Sequence, residues 1–193
     1  MPDAWLELVL RQCILYSLPV VVSLSIVGLL QSKAKQQAPF DVFLWHGSYL
    51  PLLLGIVFHR GVLIALPQMS QPSLSQASRH VLIHFFLCGI GYLLYQWTMP
   101  SVSDYGLPPL HHWWSKIFMF YNLCMLCLHV LPLPGLFVGE LICRYVWRGA
   151  ASYRQYSVPL LCLAVVLTLL ELSLGSWVIY PIYEQALSPS FGR

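Results

Sequence analysis

The chain has 193 residues, of which 58% are hydrophobic and 9% charged. A soluble domain carries about 25% charged residues, and this chain has too few polar groups to cover a water-facing exterior. Its net charge of +3 is small and scattered, which excludes a nucleic-acid footprint and leaves an all-α polytopic integral membrane protein with the lipid bilayer as its first partner.

A spanning helix needs about 20 mostly apolar residues. The first candidate covers 5–30, with Pro19 placed to kink it, as neighbouring helices in a membrane allow. A polar linker, 31–41, leads to 42–66, an apolar stretch interrupted by His46, Gly47, Ser48, His59 and Arg60. Residues 67–79 are rich in Gln, Ser and Pro and read as a loop. The spans 80–99 and 113–131 follow, separated by a proline-containing loop that holds Asp104. After Pro132 and Pro134 comes a short piece, 135–146, too short for a comfortable crossing at about 1.5 Å per residue. The last span is 158–180. The whole chain, 1–193, reads as a single membrane domain.

Basic residues decide between five and six crossings. Lys33 and Lys35 lie in the first loop, and Arg144, Arg148 and Arg154 precede the last span. Only if 135–146 counts as a crossing do both groups face the cytoplasm, as positive-inside bias favours. Arg60 and Arg79 then fall on the other side. Six of the tryptophans, Trp5, Trp97, Trp113, Trp114, Trp147 and Trp177, stand near segment ends, where an interfacial aromatic belt would put them. The six cysteines lie in or beside apolar stretches and read as small hydrophobes instead of a disulfide framework. The N-terminus opens with Asp3 and Glu7 instead of a basic region, unlike a cleaved signal peptide.

Seven histidines raise the question of metal or haem. His80 and His84 share one helix face, yet no H-E-x-x-H context surrounds them and His80 reads as interfacial beside Arg79. The adjacent His111 and His112 diverge on a helix. Cys124-x-x-Cys127, with His129 nearby, has zinc-like spacing but no second pair. A bis-histidine haem or a metal between spans is the sharper possibility, with His46, His59, His84 and His129 as ligand candidates. Glu140 and Glu171 are carboxylates inside apolar segments, each of which has to be paired, protonated or turned toward protein.

The stretch 121–139 reads Y-N-L-C-M-L-C-L-H-V-L-P-L-P-G-L-F-V-G. It resembles the second signature of the site-2 proteases, intramembrane zinc metalloproteases with a pattern near F-N-L-L-P-I-P-P-L-D-G-G. Residues 61–67, the polar loop after them and the span through Gly89 to Leu94 resemble that family's loop and following span. His46-Gly47-Ser48, followed by Leu50-Pro51, lies where the family often has D-P-x-G-T-x-x-x-P. The similarity covers roughly 42–180.

The departures fall on the chemistry. The family binds zinc through H-E-x-x-H and the L-D-G aspartate. The best placement of the first motif here is Ile26-Val27-Gly28-Leu29-Leu30-Gln31, so Val27 and Gln31 replace the histidines and Gly28 replaces the base. Phe137 stands at the aspartate position, and 89–94 lacks the third motif's asparagine. Zinc hydrolysis needs three protein ligands, a bound water and a base. The resemblance therefore implies a pseudoenzyme without cofactor, a binding or scaffolding subunit of a bacterial-type inner-membrane complex. Pro132, Leu133, Pro134 and Glu140 would wall a groove for a transmembrane helix or another subunit. The strip 131–134 is expected to be extended and packed on protein, with Phe137 filling the zinc volume near Val27 or Gln31. The competing readings are a haem- or metal-binding subunit using its own histidines and a transporter-like subunit with broken helices.

Overall fold

Helix is the solution an apolar chain adopts where no water is at hand, because it satisfies interior N–H and C=O groups within one segment. The computed structural model describes residues 2–32, 74–99, 108–130, 132 and 136–146, with positions 159, 181, 182 and 184 beside them. Among these residues there are helices and no strand: α1 (Pro2–Ser32), α2 (Leu74–Thr98), α3 (Leu110–Val130) and α4 (Phe137–Tyr145). The expected spans 42–66 and 158–180, with His46, His59 and Glu171, lie outside the described residues.

Proline marks several of the boundaries. Pro2 opens α1, a position where its missing N–H costs nothing. Pro19 lies inside α1; it has no N–H for the Leu15 carbonyl and its ring pushes that turn open. Next to this turn, the Trp114 indole of α3 donates to the Ile14 carbonyl at 3.2 Å, tying α1 to α3. The Pro109 carbonyl accepts the N–H groups of His112 and Trp113 at 3.0 and 3.3 Å, which starts α3. That helix stops at Val130, since Pro132 has no donor to continue it.

α2 begins at Leu74, inside the stretch 67–79 that composition marks as loop. Pro72 is the last helix breaker before it, and nothing from Ser73 to Cys88 opposes helix. Ser78 Oγ returns a hydrogen bond to the Ser75 carbonyl at 3.0 Å, and Ala77 is buried. Packing and an absence of breakers outweigh polarity there.

α4 has nine residues, or about 13 Å of rise, under half of a hydrocarbon core about 30 Å thick. Leu136 precedes it in extended conformation (φ −97°, ψ 164°) and gives no side-chain cap. Its carbonyl accepts the Glu140 N–H at 2.9 Å.

α2 and α3 form the largest interface, α1 lies on α3, and α4 touches both α2 and α3. The α2–α3 approach is close because Gly91 has no side chain. A Cβ there would stand 2.8 Å from Met119 Cα and 2.9 Å from its N. Small residues permit such backbone approach in membrane helices. Val27, Ile83, Leu87 and Phe118 form one apolar cluster with Ile26 against it. Val20, Leu24 and Tyr121, with Met125 against them, form another.

Large apolar side chains also face outward, and several polar groups are buried with the apolar core. Leu82, Phe85, Phe86, Ile90, Leu93 and Trp97 cover the outside of α2, Trp97 being 79% exposed. The buried positions instead include Ser23, His84, Thr98, His112, Ser115, Asn122, His129 and Glu140. A run of large apolar side chains on an exterior face marks a lipid or protein contact. α2 is long and apolar enough to cross a membrane, and Cys13–Val27 within α1 is a shorter apolar stretch.

Candidate functional site: a buried histidine cluster

Asn122, midway along α3, organises the interior. Its Nδ2 donates to the Phe118 carbonyl one turn back at 2.8 Å, which fixes the amide and aims Oδ1 away from its own helix. Ser23 of α1 donates to that Oδ1 at 2.7 Å, and His84 of α2 meets it through Nδ1 at 2.8 Å. A carbonyl oxygen only accepts and has two lone pairs, so His84 carries its proton on Nδ1 and keeps a lone pair on Nε2. Three helices thus meet at one amide. Ser23 and Asn122 are fully buried and His84 nearly so.

Two more imidazoles lie near His84. His80 is one turn earlier on α2, its ring centre 6.3 Å from that of His84 and 5.8 Å from that of His129. His84 and His129 are 6.5 Å apart, centre to centre. The Nε2 of His80 is shielded from solvent. His129, buried at the end of α3, accepts the Phe137 N–H at Nδ1 over 3.3 Å. An imidazole that accepts at one nitrogen is neutral and carries its proton on the other, so His129 presents Nε2–H. Among the described residues, no group of three His, Cys, Asp or Glu side chains is placed to hold a metal ion.

A second polar group lies at the opposite end of the α2–α3 pair. Thr98 Oγ1 donates to the Tyr95 carbonyl at 3.0 Å, so it accepts from His112 Nδ1 at 3.1 Å. The Tyr95 and His112 rings are 4.9 Å apart. Lys116 stands 5.4 Å from the Trp113 ring centre, an aromatic–cation pair suited to a membrane interface.

Of the ligand candidates, the fold brings His84 and His129 together, with the half-buried His80 near both. Cys124 and Cys127 are free thiols, as are Cys13, Cys88 and Cys143. Among the positions assigned by the site-2 protease resemblance, Val27 is 2% exposed and packed by Ile83, Leu87 and Phe118. Gly28 and Gln31 belong to α1, but their side chains fall outside the described part of the structure, as do Leu133 and Pro134. Phe137 is half-buried at the start of α4 and Glu140 is buried one turn later. Pro132 is exposed, not packed on protein as an extended, sealed strip requires.

Sequence reasoning passed over Ser23 and Asn122 as site residues. Their signal is a polar side chain in the middle of an apolar run, the pattern of interhelical hydrogen bonding in membranes. No family model, no curated protein and no solved structure matches this chain.

Proposed function

We propose that the chain is a polytopic inner-membrane protein of about six helical segments that binds partner subunits or a transmembrane helix and performs no proteolysis. The observation that carries this reading is Val27. At the position where the site-2 protease pattern needs a histidine, a valine is sealed among Ile83, Leu87 and Phe118. An aliphatic side chain in a dry pocket neither ligates zinc nor admits the water that hydrolysis consumes. Large apolar groups on the outside of α2, with hydrogen-bonded polar groups inside, support the membrane setting.

The exposure of Pro132, just past the end of α3, is what supports a docking site there. A photo-crosslinking residue at Pro132, introduced in native membranes, tests the binding role. A discrete membrane-protein adduct from Pro132 that is missing from lipid-facing Phe86 is expected. Cleavage of a transmembrane reporter by the purified protein, stopped by a chelator, would overturn the reading.

The meeting of His84 and His129 favours a second reading, a cofactor-holding subunit. Haem fits this cluster poorly. A porphyrin ligated by His84 and His129 lies in the plane midway between them, and His80, at 6.3 and 5.8 Å from the two rings, occupies that plane.

A further inference from the structure

The interhelical contacts fix the direction in which each helix runs. α2 meets α3 at three levels: Thr98 with His112, His84 with Asn122, and His80 with His129. Residue numbers fall along α2 as they rise along α3, so the pair is antiparallel. α1 meets α3 at two levels, Ile14 with Trp114 and Ser23 with Asn122. The steps from Ile14 to Ser23 and from Trp114 to Asn122 each rise about 12–14 Å, so these two helices are parallel. α1 therefore runs against α2. The end of α1 at Ser32 and the start of α2 at Leu74 belong to one end of the bundle, together with the end of α3 at Val130.

In a bilayer this placement constrains the course of the chain; the constraint rests on the membrane reading above and not on the binding role. A chain that leaves and returns at the same end crosses an even number of times. One crossing by 42–66, as expected of an apolar stretch of that length, would separate Ser32 from Leu74. Two crossings need at least about 34 apolar residues, more than 42–66 holds. We propose that 42–66 turns back without crossing, and that the end of the bundle formed by Ser32, Leu74 and Val130 is its cytoplasmic face.

Basic residues carry the orientation. Lys33 and Lys35 follow Ser32 in sequence, and the exposed Arg79 lies in the first turns of α2. Arg144 joins them. α4 starts at the level of His129, through the Phe137 N–H, and its nine residues rise about 13 Å, too little to reach the other end. That opposite end has Arg11 and Lys116. Arg60 and Arg79, which oppose the six-crossing arrangement, both fall on the basic side here. From Arg79 to Trp97, α2 rises about 27 Å, close to a hydrocarbon thickness of about 30 Å. An exposed arginine and an exposed tryptophan mark its two borders.

The orientation names the side from which a partner comes. Pro132, exposed just past the end of α3, lies at the cytoplasmic border. It suits a membrane protein that offers an inner-leaflet or cytoplasmic segment, and not a partner reached from outside. Of the six segments, 42–66 and α4 then turn back on the cytoplasmic side, and Lys33 and Arg148 remain on one face.

The test uses single cysteines in a full-length chain whose six native cysteines are replaced. A membrane-impermeant maleimide is applied to right-side-out and to inside-out vesicles. Lys33→Cys, Ser75→Cys and Arg79→Cys should be labelled in inside-out vesicles and lose labelling in right-side-out ones. His111→Cys, at the exposed start of α3, should show the reverse. Ser75 and Arg79 are both exposed on α2, so either variant reads that end of the helix if the other folds poorly. Labelling of Lys33→Cys and of the α2 pair from opposite faces overturns the proposal, as does labelling of all three from outside. Both of those results leave the membrane reading standing. Release of the parent chain from vesicles by alkaline carbonate overturns the membrane reading itself, and the orientation with it.

Discussion

At the scale of single residues, Asn122 holds the interior together. Its amide accepts from Ser23 and His84 and donates to Phe118, so truncation orphans a hydroxyl and an imidazole N–H in a site without water. A buried group left unsatisfied costs about 1–3 kcal/mol. Asn122→Ala should therefore lower the unfolding free energy in micelles by about 2–4 kcal/mol for the two donors together. Ser23→Ala, which removes one donor and leaves the acceptor engaged by His84, should cost less than about 1.5 kcal/mol. Equal effects of the two substitutions in denaturant titrations would mean that the amide is not the hub. Little of this cluster was legible beforehand. The spacing of His80 and His84 on one helix face was readable, but the approach of His129 depends on how α2 and α3 are rotated and staggered. Gly91 fixes that stagger through a backbone contact that no local pattern announces.

At the scale of the helix pair, Gly91 and Gly89 offer a controlled comparison. A methyl group at Gly91 meets the Met119 backbone at 2.8 Å, whereas one at Gly89 meets nothing within 4 Å. Backbone cannot step aside as a side chain can, so Gly91→Ala forces α2 and α3 apart, at a cost of about 1–3 kcal/mol. Gly89→Ala gains helix propensity, up to about 1 kcal/mol. Opposite signs in thermal or denaturant unfolding are expected, and destabilisation of both to the same degree would contradict the packing described. Elements themselves were largely readable, because apolar runs this long have few alternatives to helix. Ends marked by proline were also readable, as at Val130 before Pro132. The start of α2 was not, because a Ser- and Gln-rich turn has no strong local preference and is decided by what packs on it. The exposure of Pro132 escaped for a related reason: the chain rule that ends a helix does not say which side of the turn faces protein.

For the described helices together, apolar side chains on the exterior and polar groups in the interior are what a function has to accommodate. Imidazoles, an amide and the Glu140 carboxyl are buried in a bundle whose α2 exterior is Phe, Leu and Trp. Polar groups at such depth are costly to insert and persist where they position helices or act on a bound species. Composition points to a membrane, and among the described helices α2 is long and apolar enough to cross one. The family resemblance rests on motif order alone; of its positions, Val27 is buried and Pro132 exposed. The number of crossings is what connects these observations to a topology. Lys33 and Arg148 flank the described helices, and six segments put both on the cytoplasmic face. Single cysteines at these two positions, in a chain whose six native cysteines are replaced, can be labelled with a membrane-impermeant maleimide in oriented vesicles. Labelling of both from the cytoplasmic side is the predicted result. Labelling from opposite sides would mean an odd number of crossings between the two positions, and would contradict the six-segment account.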